Sequence, residues 1–491
     1  VNSPAKIPTP LLLPGVLLAL TAIPTLGQAA ASPKADAALP FAYTTEPSGR
    51  AAFDAAHAYT LAELIDIAEQ NAPEAAITWQ HAKAAAAAMG LARAEYLPRL
   101  AGFSVMSNEK LINPFPRPLA PHGYTMVEMP VANAGLTADY TVLDFGRRRA
   151  HLDAARATKL AAAAHFERAN QMVAFEVIAA YYQLRNATAT LEARRQILTT
   201  AQTIEAAAQA QLDNGRATLP DLLDAKAGSA KADFELEAAI GGETQARVAL
   251  RKAIGVAPSD AILLAEAHDD EFATSATEEI HALLETAAAE RADLVELSQR
   301  VQAAQEHLKA ANRAWTPTVE LGGRGSVESI WPTVSKDHGS LLADTTHFVW
   351  QSGLTIHWDF FDGGVRRSHA QIANAELRAA EQNERAGKDA ASQQTWSAFV
   401  ECQTAERRRK SAQALLEAAT ASYSASLDAY GYGVKNLIDL VHAESQLAEA
   451  RLAQVEATSA LRMASAKLSY ATGELLRKTP TTAKSGESTD K

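Results

Sequence analysis

The chain has 491 residues and a formal net charge of −11, with 46 basic against 57 acidic side chains, so it lacks the basic stripe that nucleic-acid binding demands. Aromatic residues make up only 6% while alanine is abundant, a balance suited to closely packed helices more than to one large globular core. A single cysteine, Cys402, excludes an internal disulfide and reads as a buried structural thiol.

In chain order, Lys6, the apolar run from Leu11 to Leu20 and the small residues around Ala29 read as an export signal over 1–29, followed by a flexible segment over 30–58. About 10 apolar residues are too few to cross roughly 30 Å of hydrocarbon, and no later segment has the ~20 that a membrane helix requires. An exported chain of this kind is expected to be either soluble or a β-barrel. Asn71-Ala72-Pro73 has the form of a helix cap with proline in the first turn, opening a helix to about Leu97.

Periodicity then changes from helical to alternating. Strands are expected at about 100–112, with Phe103 and Val105 on one face, and at about 131–143, where Leu136, Ala138, Tyr140 and Val142 alternate with polar residues. The proline-rich stretch between them reads as a stiff exposed loop. From Arg147 to Asn214 there is neither Gly nor Pro, and Val177, Leu184, Leu191 and Leu198 fall seven apart, which predicts one helix with a heptad-like seam. At about 1.5 Å per residue it would measure roughly 100 Å. Leu219 to Ile254 predicts a shorter companion.

After a linker over 256–278 the same series returns. Helices are expected from Ala292 to Trp315, Val365 to Tyr432 (with Gly387 and Gly431 as its only breakers) and Leu437 to Thr472, with strands at about 319–331 and 349–361. Leu416, Tyr423 and Tyr430 mark its heptad seam. Asp144-Phe145-Gly146 has its counterpart in Asp362-Gly363-Gly364, 218 positions on, and Gly215, Asp221 and Gly255 return with the same offset as Gly433, Asp439 and Gly473. The chain is therefore a duplication, with a first structural repeat over 59–255, a second over 279–475, and a polar, disordered tail expected over 476–491.

The fold class that follows is all-α with a small transmembrane β part: a duplicated long-helix α-barrel plus four strands per chain. Strands of about 10 residues with one oily and one wet side cross a membrane when tilted. Four cannot close a barrel, and open edges are very costly in lipid. A trimer supplying twelve strands is the smallest familiar solution.

The two Asp-x-Gly strand-to-helix junctions, Pro98 and Pro317 at the returning junctions, and the paired hairpins after Gly215 and Gly433 together resemble the TolC family of outer-membrane efflux proteins, over about Tyr59 to Leu475. The resemblance implies a homotrimer in outer-membrane lipid, a twelve-stranded barrel continued into an α-helical tunnel through the periplasm. It also implies a periplasmic adaptor (membrane fusion) protein and an inner-membrane RND or ABC transporter as partners. The hairpin tips would form the periplasmic entrance and dock the adaptor through Gly215, Leu219, Gly433 and Leu437. Second-copy carboxylates near the tip narrow the entrance and bind cations in the family; Asp439 matches the first such position, and the second carries His442 where the first copy has Asp224. Asp221 is the first-copy counterpart of Asp439. An imidazole ordinarily gains its proton near pH ~6.5, so a pore-facing His442 would make the entrance pH-dependent. At the junctions, Asp144 and Asp362 are expected to cap the long helices while Gly146 and Gly364 let the backbone turn out of the strand.

No catalytic constellation, phosphate-cradling loop or metal-ligand spacing is legible, so no enzyme activity, metal or cofactor is expected. The function expected is a passive outer-membrane exit duct of a tripartite efflux or type I secretion system. The alternative is an exported periplasmic coiled-coil scaffold or adaptor.

Overall fold

The computed structural model describes residues 57–117, 122–257, 262–265, 279–331, 333–334, 345–432 and 434–478. The expected signal peptide, nearly all of 30–58, most of the 256–278 linker, Gly433 and the tail beyond 478 lie outside them.

The first repeat begins with β1 (Ala58–Tyr59), α1 (Leu61–Asn71) and α2 (Pro73–Ala94), followed by β2 (Arg99–Pro114), β3 (Tyr124–Leu143), α3 (Arg147–Asp213) and α4 (Leu219–Ile254). The linker contributes β4 (Leu263–Leu264), which pairs in parallel with β1. The second repeat consists of α5 (Ile280–Glu290), α6 (Ala292–Arg313), β5 (Thr318–Ile330), the two-residue β6 (Thr333–Val334), β7 (Thr345–His357), α7 (Val365–Gly431) and α8 (Leu437–Thr472), and α9 (Leu475–Lys478) closes the described chain. Up to the strand pairs the copies are offset by 219 positions, as Arg99 and Thr318 show; after them the offset is 218, as Arg147 and Val365 show.

The long helices α3 and α7 each contain 67 residues. Gly387 does not interrupt α7: a Cβ there would lie 2.3 Å from Leu297 Cδ1 of α6, so its role is close helix approach. The seam of α7 also differs from the expected one. Ala391, Ala398, Ala405, Ala412, Ala419 and Ser426 form a strict seven-residue stripe of buried small side chains, while Leu416 and Tyr423 sit at its edge. Small residues at this spacing let α7 and α8 approach closely along their length. Cys402 lies in the same packing layer, buried among Leu283, Ala398, Ala464 and Leu468, where burial pushes its thiol up and the Ser465 hydroxyl stands 3.8 Å away.

Short helices α1 and α5, not anticipated from periodicity, precede α2 and α6. Both breaks place one residue, Ala72 or Arg291, in an extended conformation. Proline explains the first. Arg291 explains the second: its buried guanidinium donates to Asp293, to Gln394 and to the Ala471 carbonyl, holding the break without a proline. Gly255 and Gly473 end α4 and α8 at φ +77° and +84° and pack directly on these breaks. The largest core gathers Leu64, Val177, Ile178, Leu184, Leu250 and Ile254. Leu475 is fully buried in it, so the chain at 475–478 continues as a packed helix where a disordered tail was expected from 476.

The main strands form one antiparallel sheet ordered β2-β3-β5-β7, with β6 beside the far end of β3. Register fixes its faces. Leu100, Met106, Leu136, Tyr140, Leu321, Val327, Phe348, Trp350, Leu354 and Ile356 lie on one side and are all exposed. Asn133, Thr137, Asp139, Glu320, Arg324, Glu328, Gln351 and Thr355 lie on the other. Phe103 and Val105 share a face as expected, but it is the polar one, where Phe103 lies under the Arg324 guanidinium at 4.1 Å. The strand expected at 349–361 runs instead over 345–357, because β5 begins at Thr318 and leaves Trp358 to Phe361 without a partner strand on that side. No described helix is long and apolar enough to cross a membrane.

Candidate functional site

Two places carry the residues singled out by the duplication. The first is the strand-to-helix junction. In the first copy Asp144 is buried, its Oδ1 accepting from the Gly146 amide at 3.2 Å and its Oδ2 from the Arg148 amide at 2.7 Å and the Arg148 Nε at 3.0 Å. The Arg148 guanidinium also donates to the Glu95 carbonyl and lies over the Tyr96 ring, tying the helix start to the returning end of α2. Asp362 repeats every bond with Gly364 and Arg366, whose guanidinium covers the Trp315 ring. The carboxylates thus cap from two residues before the N-cap glycines Gly146 and Gly364, which at φ +93° and +94° are the pivots. Burial pushes the Asp144 carboxyl up, but the two backbone amides and the adjacent guanidinium outweigh it and hold the group below the usual range. Asp362 is likewise lowered, chiefly by the Arg366 amide.

The second place is the pair of hairpin tips at the far ends of the long helices. Thr218 and Asp221 form a capping box at the start of α4: the Asp221 carboxylate accepts from the Thr218 amide and hydroxyl, both at 2.8 Å. These bonds, the amide first, lower the Asp221 carboxyl. In the second copy Asn436 replaces threonine and caps the Asp439 amide at 2.8 Å, so the exposed Asp439 carboxylate is not drawn into a capping box. Asp224 and His442 are exposed one turn further on, with His442 Nε2 3.1 Å from the Gln446 amide nitrogen.

The two tips pack on each other. Ile204, Ala208, Leu222 and Ala225 of the first copy enclose Tyr430, Leu437 and Leu440 of the second. The leucine pair anticipated as equivalent is not: Leu437 is 6% exposed in this cluster and Leu219 is 58% exposed. Gly215, at φ +68°, ends the α3 tip in open surroundings. Tyr430 belongs to the tip as well. Its buried hydroxyl group is raised by burial and by the neighbouring Asp221 charge, a proximity that its heptad spacing alone did not reveal. No cluster of three or more metal-ligating side chains occurs among the described residues.

Two rods of roughly 100 Å, joined at one end to a sheet with one apolar and one polar face and ending at the other in hairpin tips, define a chain of the membrane-anchored helical-duct class. The sequence matches the outer membrane efflux protein family over residues 64–256 and 283–474, one segment in each repeat. Protein CyaE of Bordetella pertussis is 27% identical over 446 residues, covering 85% of each chain. Among solved structures, the outer membrane protein VceC of Vibrio cholerae superposes with a TM-score of 0.67 at 22% identity, over 84% of this chain and 96% of that one. The open state of the MtrE outer membrane channel of Neisseria gonorrhoeae gives 0.67 at 22%, over 86% and 91%. The chain belongs to the outer membrane efflux protein family; its fold is that of channel proteins, and its place is the outer membrane, extending into the periplasm.

Proposed function

We propose that three copies of this chain form a passive exit duct for a tripartite efflux or type I secretion assembly. The observation that carries this is the sheet: four long strands whose outer members β2 and β7 pair on their outer edges with no described strand, apolar on one face and polar on the other, fused to helices of roughly 100 Å. Twelve such strands close a barrel and remove the unpaired edges that lipid forbids. The scaffold alternative leaves the apolar face without a use.

In this reading the polar face lines a water-filled path, and the tips are the periplasmic entrance, docked by an adaptor protein and supplied by an RND or ABC transporter that provides the energy. Asp439, with its carboxylate outside any capping box, supplies the cation-binding ring, while Asp221 is committed to its helix. Exposed Leu219 in the first hairpin and exposed Val434 and Ile438 in the second offer the adaptor its surface, while buried Leu437 holds the two tips together. His442, exposed beside Gln446, makes the entrance sensitive to pH; its replacement by Asn is expected to flatten the pH dependence of conductance.

The test is single-channel recording of the detergent-purified protein in a planar bilayer, beside Asp439→Ala. Discrete cation-favouring openings that become larger or longer in the variant are expected. Absence of conductance from a protein that stays soluble without detergent would return the scaffold reading.

A further inference from the structure

Away from the junctions and the tips, one group of polar side chains has no part in the duct. Within a single chain, α3 of the first copy packs beside α8 of the second, and a cleft of about 150 Å³ lies between them. Tyr182, Arg185 and Asn186 line it from α3, and Thr458, Ser459 and Arg462 from α8. The space is several times the roughly 30 Å³ that one water occupies in the liquid, so a small polyatomic ion fits. No described carboxylate lines it.

Two of these side chains lack the partners that their burial calls for. Arg185 is half-buried, and no described residue forms a hydrogen bond or ion pair with its guanidinium. Asn186 Oδ1 is buried without a hydrogen-bond partner. An unsatisfied donor fork and an unsatisfied acceptor at one wall are costly, and a ligand that offers both kinds of partner removes the cost. Helix packing does not demand them. In the duplicated positions, 218 residues away, Arg185 is replaced by Gln403, Asn186 by Thr404 and Arg462 by Thr244, in helices of the same lengths.

We infer that this cleft binds inorganic phosphate as its monohydrogen dianion. The unprotonated oxygens accept from the Arg185 and Arg462 guanidinia, whose planar forks suit oxyanions, and the one hydroxyl of the ion donates to Asn186 Oδ1. Sulfate has the same shape and charge but no hydrogen to donate, so it leaves Asn186 Oδ1 unsatisfied. One guanidinium comes from each copy, and bound phosphate therefore ties α3 to α8. The supply is soluble phosphate. From Arg147, at the sheet end of α3, to Arg185 is 38 residues (185 − 147), about 57 Å at 1.5 Å each, which is beyond the reach of lipid phosphates around the sheet. Tyr182 also belongs to the core that holds Leu61 and Leu64 of α1, while Leu461, next to Arg462, packs in the layer of Leu283 of α5, so the cleft sits at the border of the short outer helices.

The experiment is calorimetric titration of the detergent-purified full chain with sodium phosphate, and separately with sodium sulfate, at pH 7.5 and low salt. Saturable binding of one phosphate per chain is expected, at least tenfold tighter than sulfate, and Arg185→Gln is expected to weaken phosphate at least tenfold. Asn186→Ala is expected to abolish the preference for phosphate over sulfate. Arg195→Gln, which removes an exposed charge paired with Glu192, is expected to bind phosphate as the parent does. Thermal unfolding separates binding from folding: phosphate raises the parent's transition temperature, whereas without phosphate Arg185→Gln unfolds no earlier than the parent, since it loses no described partner. No saturable phosphate binding, parental affinity in Arg185→Gln, or an equal loss in Arg195→Gln would overturn the site. Sulfate binding as tight as phosphate would overturn the choice of ion, and earlier unfolding of Arg185→Gln without phosphate would make Arg185 a structural residue. The site lies within one chain, so each of these failures leaves the duct reading standing.

Discussion

At the residue scale, the junction carboxylates have the clearest consequences. Asp144 and Arg148 are both nearly enclosed, so Asp144→Asn leaves a buried guanidinium without its charge partner, a change that typically costs about 3 kcal/mol. A lowered transition temperature in thermal unfolding of the detergent-solubilised protein is the expected result. The pH dependence has a definite sign. The folded carboxyl ionises below the unfolded value of about 3.9, so its stabilisation is fully present above that pH and is lost as pH falls through the folded value. The Asn variant should therefore lose the parent's acid-induced decline in this window. This part of the site was legible because the Asp-x-Gly triplet occurs twice at a fixed offset. The residue between was not: Phe145 holds a left-handed φ of +52° where the second copy has Gly363 at +67°, and only the backbone shows that both copies need two successive positive φ values.

At the element scale, helix ends that look alike in sequence are held by different surroundings. Gly215 and Gly473 are both left-handed terminators, but a Cβ at Gly215 meets open space, whereas one at Gly473 lies 3.1 Å from the Glu290 carbonyl group and 3.2 Å from the Arg291 Cα. Gly215→Ala should cost about 1 kcal/mol, the left-handed penalty alone. Gly473→Ala adds a backbone collision at the α5–α6 break and should cost at least twice as much, read from thermal unfolding of the two variants side by side. The long helices and their companions were legible from missing breakers and repeated hairpins. The α5–α6 break was not, since its agent is the buried Arg291 network rather than a proline, and neither was the unequal burial of Leu219 and Leu437. Leu437 meets the first-copy tip within the chain, whereas no described element of the chain covers Leu219.

At the scale of the whole molecule, alternation in four strands and a shared apolar face decide between a membrane duct and a soluble rod. The alternation was visible strand by strand, but which side of β2 is apolar was not. Phe103 and Val105 suggested one side, and only the register with β3 sets Leu100 and Met106 on the face of Leu136 and Trp350. That face makes the final prediction. Leu136 and Thr137 are adjacent on the central strand β3 and point to opposite sides, so arginine at each asks two different questions of one position in the sheet. Leu136→Arg puts a charge among the apolar residues and should cost about 2–4 kcal/mol in lipid if it lies near the midplane. Thr137→Arg puts the same charge on the polar face, directly opposite Arg324 and two residues from Asp139, where water solvates it. The expected outcome is that Leu136→Arg reduces the amount of trimer recovered from outer membranes, whereas Thr137→Arg is recovered at parental levels and conducts with reduced preference for cations. Equal recovery of both would mean that the apolar face does not meet lipid, since in water a charge on either face of the sheet is solvated.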